Sequence, residues 1–230
     1  MRLLIDDMRS AVQPYSLLSV IGQGCHRISE IAGRMGKPAT SLMRPLSQLV
    51  DLGYVRREIP FGEDAKSTKR SLYKIGDPFL AFYFRFLQPN KSQLEVRAAS
   101  EVMAKVSRQL PLHVSLIWEE LARASVPSCP IGGHRWGAAR RWWGAGKDGT
   151  PMELDAVAES QDGKAVLIGE AKWSAADSDA SGARDRILAL AGNLPFLRGR
   201  EVVPVLWAKR RRKDPGVFIE TPDSVLDGLR

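Results

Sequence analysis

The sequence predicts a mixed α/β fold in two parts, and three observations carry that reading. Residues 15–56 hold helix-length apolar repeats separated by glycine-containing turns, and two short alternating runs follow. Residues 141–173 hold three runs of strand length. A helical period returns near residue 183, and a last apolar run, EVVPVLWAK, comes after it. The 230 residues suffice for two domains of roughly 100 residues each. The reading places them at 1–90 and 91–230.

With 44% hydrophobic and 26% charged residues the chain is of ordinary globular composition. A formal charge of +8 and a pI of about 9.7 suit a polyanionic partner, most simply nucleic acid. Many basic proteins bind no anion, so charge alone leaves this open. Cys25 and Cys129 form no CxxC pair, and His26, His113 and His134 lack zinc-site spacing, which excludes a disulfide framework or a structural zinc. The opening MRLLIDDMRS has acids where a signal peptide needs an apolar core, and no run approaches 18 apolar residues. The expectation is a soluble, cytoplasmic protein with no membrane segment.

Taken in order, YSLLSVIGQGCHR predicts a short helix ended near Gly22 and Gly24. Ser29 is placed to cap a second helix with Ile31, Ala32 and Met35 as its apolar face, and Gly36 stops it. A third helix begins near Pro38 with Leu42, Met43, Leu46, Leu49 and Val50 at helical spacing. Pro45 lies inside it and calls for a kink or a later start. Two helices joined by a tight turn make a helix-turn-helix. YVRREIPF and STKRSLYKI then predict two strands, with GEDAKSTKR as the tip of a wing. In a winged helix the third helix enters a major groove and the wing follows phosphates. Candidate DNA contacts are Lys37, Ser41, Arg44, Arg56, Lys66, Lys69 and Arg70. Such units also serve as packing modules, and basic wing tips are often only solvated. DPFLAFYFRFLQP is too aromatic for a solvated helix, and Phe79, Phe82, Tyr83 and Phe86 are expected to form a core stripe between the two halves.

A polar helical stretch at 91–109 leads to LPLHVSLIWEELARA, an amphipathic helix with Leu116, Ile117, Leu121 and Ala122 apolar and Glu119 and Glu120 beside them. Strands are predicted around Arg141–Trp143, Glu153–Ala158 and Ala165–Trp173. SQDGK joins the last two by a tight turn, because Asp-Gly accepts positive φ. Alternation puts Val166, Ile168, Glu170 and Lys172 on one face, and Glu153 with Asp155 on one face of the neighbouring strand. If the hairpin joins these faces, Asp155, Glu170 and Lys172 converge. Two carboxylates can hold a hard divalent cation, which can activate water and offset charge on a scissile phosphate. A lysine beside them can position or deprotonate that water, or stabilise developing charge. Glu170 and Lys172 equally describe a surface ion pair worth about 0–1 kcal/mol.

Glu119 on a helix, Asp155 in ELD, and Glu170-Ala171-Lys172 in GEAKW together resemble the PD-(D/E)xK nuclease-like superfamily of restriction endonucleases and Holliday junction resolvases. The run from the helix-turn-helix through DPFLAFYFRFLQPNK to WEELAR, RRWW, ELDAVA and GEAKW is similar to the C-terminal region of a family of prokaryotic P-loop ATPases. There, an ATPase domain is followed by a winged helix and a nuclease-like domain. The resemblance covers nearly the whole chain. It implies a restriction-endonuclease-like α-β-β-β-α-β core with a mixed sheet. It also implies Asp155 and Glu170 as metal ligands, the Ala171 carbonyl completing the shell, Lys172 as the catalytic lysine, Glu119 as a supporting acid, and Mg²⁺ or Mn²⁺ as the cofactor. Trp142, Trp143 and Trp173 match family aromatic positions and are expected to pack. Neither GQGCHR nor GRMGKPATS satisfies GxxxxGK[ST], so a nucleotide site of that kind is not expected. Leu154 stands where the superfamily name has Pro. The chain begins where the family's ATPase domain ends, as expected of a fragment, a split gene product or a stand-alone remnant. The helix after Lys172 is expected from about Ala183. The basic KRRRKDPG that follows the last strand suits a phosphate-tracking segment or a solvated loop equally.

Two functions follow as expectations. One is a metal-dependent deoxyribonuclease recruited to DNA by the winged helix. The other is a non-catalytic DNA-binding or regulatory module that docks on a separate P-loop ATPase.

Overall fold

A computed structural model describes residues 12–66, 68–96, 99–173, 182–210 and 216–230. The opening decapeptide and residues 211–215 of the basic stretch lie outside them. Two compact units are formed: Met1–Glu58 with Thr68–Leu110, and Ile59–Ser67 with Pro111–Arg230. The division thus falls beyond residue 90, and the segment between the first two strands goes with the second unit.

In the first unit, helices α1 (Val12–Gly22), α2 (Ile28–Met35) and α3 (Ala39–Asp51) precede an antiparallel hairpin of β1 (Val55–Glu58) and β2 (Leu72–Ile75). The strands are shorter than the alternation suggested. Leu17, Leu18, Ile21, Ile31, Leu42, Leu46, Leu49, Val55, Tyr73 and Ile75 form its core. Ser29 does not cap α2. The backbone N–H groups of His26 and Arg27 instead donate to the Glu30 carboxylate, each at 3.0 Å, which satisfies donors the helix start leaves open. Gly36 ends α2 at φ 62°, a left-handed conformation that favours glycine. Helix α3 runs through Pro45, while Met43, expected on its apolar face, is 49% exposed.

The aromatic segment is a short α-helix, α4 (Pro78–Phe82), followed by a π-helical turn at Tyr83–Leu87 and a 3₁₀ turn at Gln88–Asn90. The wide turn shifts the register of the apolar stripe. Phe79 is 68% exposed, while Phe84 enters the first core. Phe82 and Phe86 pack on Val102 and Val106, so these contacts lie inside the first unit rather than between halves. After α5 (Lys91–Glu95), the two helical stretches expected up to residue 125 are one helix, α6 (Ala99–Ser125), with Pro111 inside it.

The second unit is built on a five-stranded sheet in the order β3-β4-β5-β6-β7. Strands β3 (Arg140–Ala145), β4 (Pro151–Glu159) and β5 (Ala165–Lys172) are antiparallel neighbours. Helix α7 (Ala183–Gly192) then crosses to β6 (Glu201–Ala208), which lies parallel to β5, and β7 (Phe218–Glu220) adds a second parallel pair. The mixed sheet and the α-β-β-β-α-β order are those expected. The short β7 and the last helix, α8 (Pro222–Gly228), were not. Helices cover both faces. Trp118, Ala122 and Val126 from α6 and its end, with Val225 of α8, meet Ala156, Ala158, Leu167, Ala171, Val205 and Trp207. On the other face Ala183, Ile187 and Ala191 of α7 meet Val157, Val166, Ile168 and Leu206. Each fully buried large side chain contributes about 1.5–3 kcal/mol, so β5, buried from Ala165 to Gly169, anchors both layers.

The glycine of VLIGEAKW has a packing cause. The Trp207 ring lies over Gly169, and a Cβ there would come 2.1 Å from Cζ3 of that ring. Trp207 in turn accepts a hydrogen bond on its carbonyl from Trp118 Nε1 at 3.3 Å. Gly169→Ala is therefore expected to lower unfolding free energy by about 1–3 kcal/mol, read as a fall in the urea midpoint at constant m-value. An unchanged midpoint would refute the overpacking argument.

Candidate active site

The site begins with an irregularity in β4. Trp142 pairs with Leu154 and Arg140 with Val157, so Asp155 and Ala156 together face the single residue Arg141. This is a β-bulge, which bends a strand and re-aims a side chain. It breaks the alternation expected for ELDAVA: Leu154 and Val157 share one face, and Ala156 and Ala158 the other. Glu153 is ion-paired with Arg141.

The bulge sends the Asp155 carboxylate to β5. The paired register of β4 and β5 extends from Glu159↔Val166 to Ala156↔Gly169. Beyond it, Asp155 Oδ2 accepts the backbone N–H of Ala171 at 2.9 Å. Asp155 is thus locked against the middle residue of Glu170-Ala171-Lys172. A strand residue's N–H and C=O point to the same side, so the Ala171 carbonyl faces the Asp155 side too.

Glu170 lies on the α7 face with Val166 and Ile168, as expected, and its Oε2 is 3.2 Å from Arg186 Nη2 of α7. Lys172 is exposed at the strand end. Glu119 sits in the α6 layer, 4.0 Å from Arg123 one turn on. Arg123, only 8% exposed, donates from Nη1 to the Asp155 carbonyl at 2.7 Å. Two residues that sequence reasoning missed therefore frame the site. The i,i+4 spacing from Glu119 pointed to Arg123, whereas nothing local pointed to Arg186, whose partner lies in another layer. Trp173 packs on Trp118 at 5.3 Å between centroids, Trp142 is buried beside Phe196, and Lys209 Nζ lies 5.2 Å from the Trp173 ring centre.

Among the described residues, no group of three or more His, Cys, Asp or Glu side chains could hold a metal. The donors at hand are two carboxylates, Asp155 and Glu170, and the Ala171 carbonyl. All are hard oxygens of the kind Mg²⁺ and Mn²⁺ take, and Mg²⁺ commonly keeps several waters beside one or two carboxylates. The donor set fits such an ion. An open depression of about 440 Å³ lies elsewhere, lined by Phe61, Gly62, Glu63, Asp64, Ala138 and Arg140 and by none of these residues.

The expected DNA contacts divide between the units. Lys37, Ser41 and Arg44 are exposed at the start of α3, and Ser41 Oγ donates to the Pro38 carbonyl at 2.7 Å. Arg56 is half-buried, 3.3 Å from Glu58, which also pairs with Lys74 at 3.0 Å. Lys69 and Arg70 are exposed before β2, whereas Lys66 belongs to the second unit. There Phe61 N–H donates to the Arg141 carbonyl of β3 at 2.8 Å. Cys25 and Cys129 are free thiols, and among the described residues no helix is long and apolar enough to cross a membrane.

Residues 83–183 match the model of the DUF234 family, described as archaeal and bacterial proteins of unknown function. Glu119, Asp155, Glu170 and Lys172 all lie in that stretch. The chain is 29% identical over 165 residues to an uncharacterized protein of Methanocaldococcus jannaschii, covering 68% of this chain and 35% of that relative. It thus spans about a third of the relative's length. Among solved structures, a protein of Vibrio cholerae overlaps 98% of this chain and 53% of its own at 14% identity and TM-score 0.30. The SdaI restriction endonuclease overlaps 91% and 83% at 15% identity and TM-score 0.28. The fold assignment rests on strand order and register, independently of these overlaps.

Asp155→Asn keeps an oxygen acceptor for the Ala171 N–H, whereas Asp155→Ala leaves a buried donor unpaired. The Ala variant is expected to lose about 1–3 kcal/mol of stability and the Asn variant less than about 1. Equal losses in urea unfolding would show that the hydrogen bond is not what holds the two strands here.

Proposed function

We propose that the chain is a DNA-binding protein whose second unit carries a metal-dependent phosphodiester hydrolase site. The observation that carries this reading is the Asp155 carboxylate seated on the Ala171 N–H, between Glu170 and Lys172. A structural salt bridge needs no bulge to aim a third charged group at the same three residues. Asp155, Glu170 and the Ala171 carbonyl would hold a divalent cation, which supplies charge neutralisation at the phosphate and an activated water. Lys172, exposed at the strand end, would position that water or steady the leaving oxygen. Glu119 acts at a distance, through Arg123 and the Asp155 backbone. The exposed Lys37, Ser41, Arg44, Lys69 and Arg70 of the first unit, read as a winged helix, would recruit the duplex through its phosphates.

A second reading has an observation of its own. Glu170 is paired with Arg186 and, among the described residues, no third acid joins Asp155 and Glu170, as suits a scaffold that binds DNA without cutting it and docks on a separate P-loop ATPase.

Incubation with supercoiled and branched DNA in Mg²⁺ or Mn²⁺ separates the two. Cleavage is expected for the wild type and a loss of roughly 100-fold or more for Asp155→Asn, Glu170→Gln and Lys172→Ala. DNA binding without cleavage on every substrate would overturn the hydrolase reading in favour of the scaffold.

A further inference from the structure

We propose that Arg186 is a resident cation of the site, held on Glu170 until a divalent metal displaces it; this rests on the metal-site reading of Asp155 and Glu170. The Glu170 side chain is only 16% exposed, and a carboxylate so far from water needs a counter-charge. Arg186 Nη2, 3.2 Å from Oε2, supplies it. A metal bound through that oxygen would take the same place with twice the charge.

The two arginines of the site differ in exposure. Arg123 is buried, and its guanidinium bonds a main-chain carbonyl, so it is part of the framework. Arg186 leaves 42% of its side chain in solvent and rides on α7, whose Ala183, Ile187 and Ala191 are packed on the sheet. Its helix is held on the sheet while its side chain is partly open to solvent. Once displaced, the guanidinium remains tethered beside the site and carries a planar fork suited to phosphate oxygens. Metal loading would then release a phosphate-binding group, coupling metal binding to DNA binding.

The test is Mn²⁺ binding to the full chain, measured from the free-ion electron paramagnetic resonance signal, for wild type, Arg186→Ala and Arg186→Lys. Removing the competing charge is expected to tighten Mn²⁺ binding about 3- to 10-fold in Arg186→Ala, by less at high salt. Arg186→Lys is expected to return the affinity toward wild type. In a second arm, Ca²⁺ should tighten binding of a DNA duplex to wild type and do so less in Arg186→Ala. Mn²⁺ affinity in Arg186→Ala equal to or weaker than wild type would overturn the displacement while leaving the metal site standing. No Mn²⁺ binding by any of the three would overturn the metal site itself, and the proposal with it.

Discussion

A backbone N–H inside a sheet must find an acceptor, and at Ala171 the acceptor is a carboxylate. Much of the second unit is arranged around that substitution. Because Asp155 takes the place of a main-chain carbonyl, the β4–β5 register stops at Ala156↔Gly169 while β5 continues for three more residues along β6. The freed end of β5 is where Glu170 and Lys172 stand. Continuing the ladder would have consumed the Ala171 backbone groups and left Asp155 without this role. The bulge is thus the step that sets Asp155 against the end of β5.

Bending β4 has an electrostatic consequence, since it leaves the Asp155 carbonyl to be satisfied from outside the sheet. Arg123 meets it from α6, and Glu119 one turn earlier balances the buried guanidinium. Burying a charge is tolerated only with such partners. The acids therefore approach from opposite layers: Glu119 from the α6 side, and Glu170 from the α7 side with Arg186 upon it. Asp155 lies between, at the end of the ladder. Among the described residues these three acids form no tight acidic cluster.

What could be read from the residues depended on how local its cause was. The strands around 141–143, 153–158 and 165–173 and the helix from Ala183 agree with the structure because apolar period and the Asp-Gly turn are local signals, and Gly163 duly has φ 72°. The bulge at Asp155 is set by a register between strands, which no single strand encodes, so the break in alternation between Leu154 and Val157 was not legible. Phe84, outside the expected stripe, is buried because one wide helical turn after Phe82 shifts the stripe. β7 has three residues, too few for a period to register. Helix α8 was missed, although Thr221-Pro222 places a capping residue and a proline at its start.

The placement of opposite charges in VLIGEAKW follows from where the strand stops being interior. From Ala165 to Gly169 every residue is buried, Glu170 is half-buried, Ala171 is buried and Lys172 is exposed. The strand carries apolar residues as long as helices cover it and charged ones as soon as it emerges. Parallel pairing matters here: β5 and β6 run the same way, so Lys172 pairs with Ala208 and Lys209 follows immediately. α7, which must run back between the two strands, brings Arg186 to the same end. An antiparallel β6 would have sent Lys209 to the far edge. Among the described residues, the crossover thus brings Lys172, Lys209 and Arg186 to the end of β5 and β6 where Glu170 stands. Under the proposed function, these cations would attract a polyanion, while Asp155 and Glu170 would keep the oxygen donors a divalent cation needs.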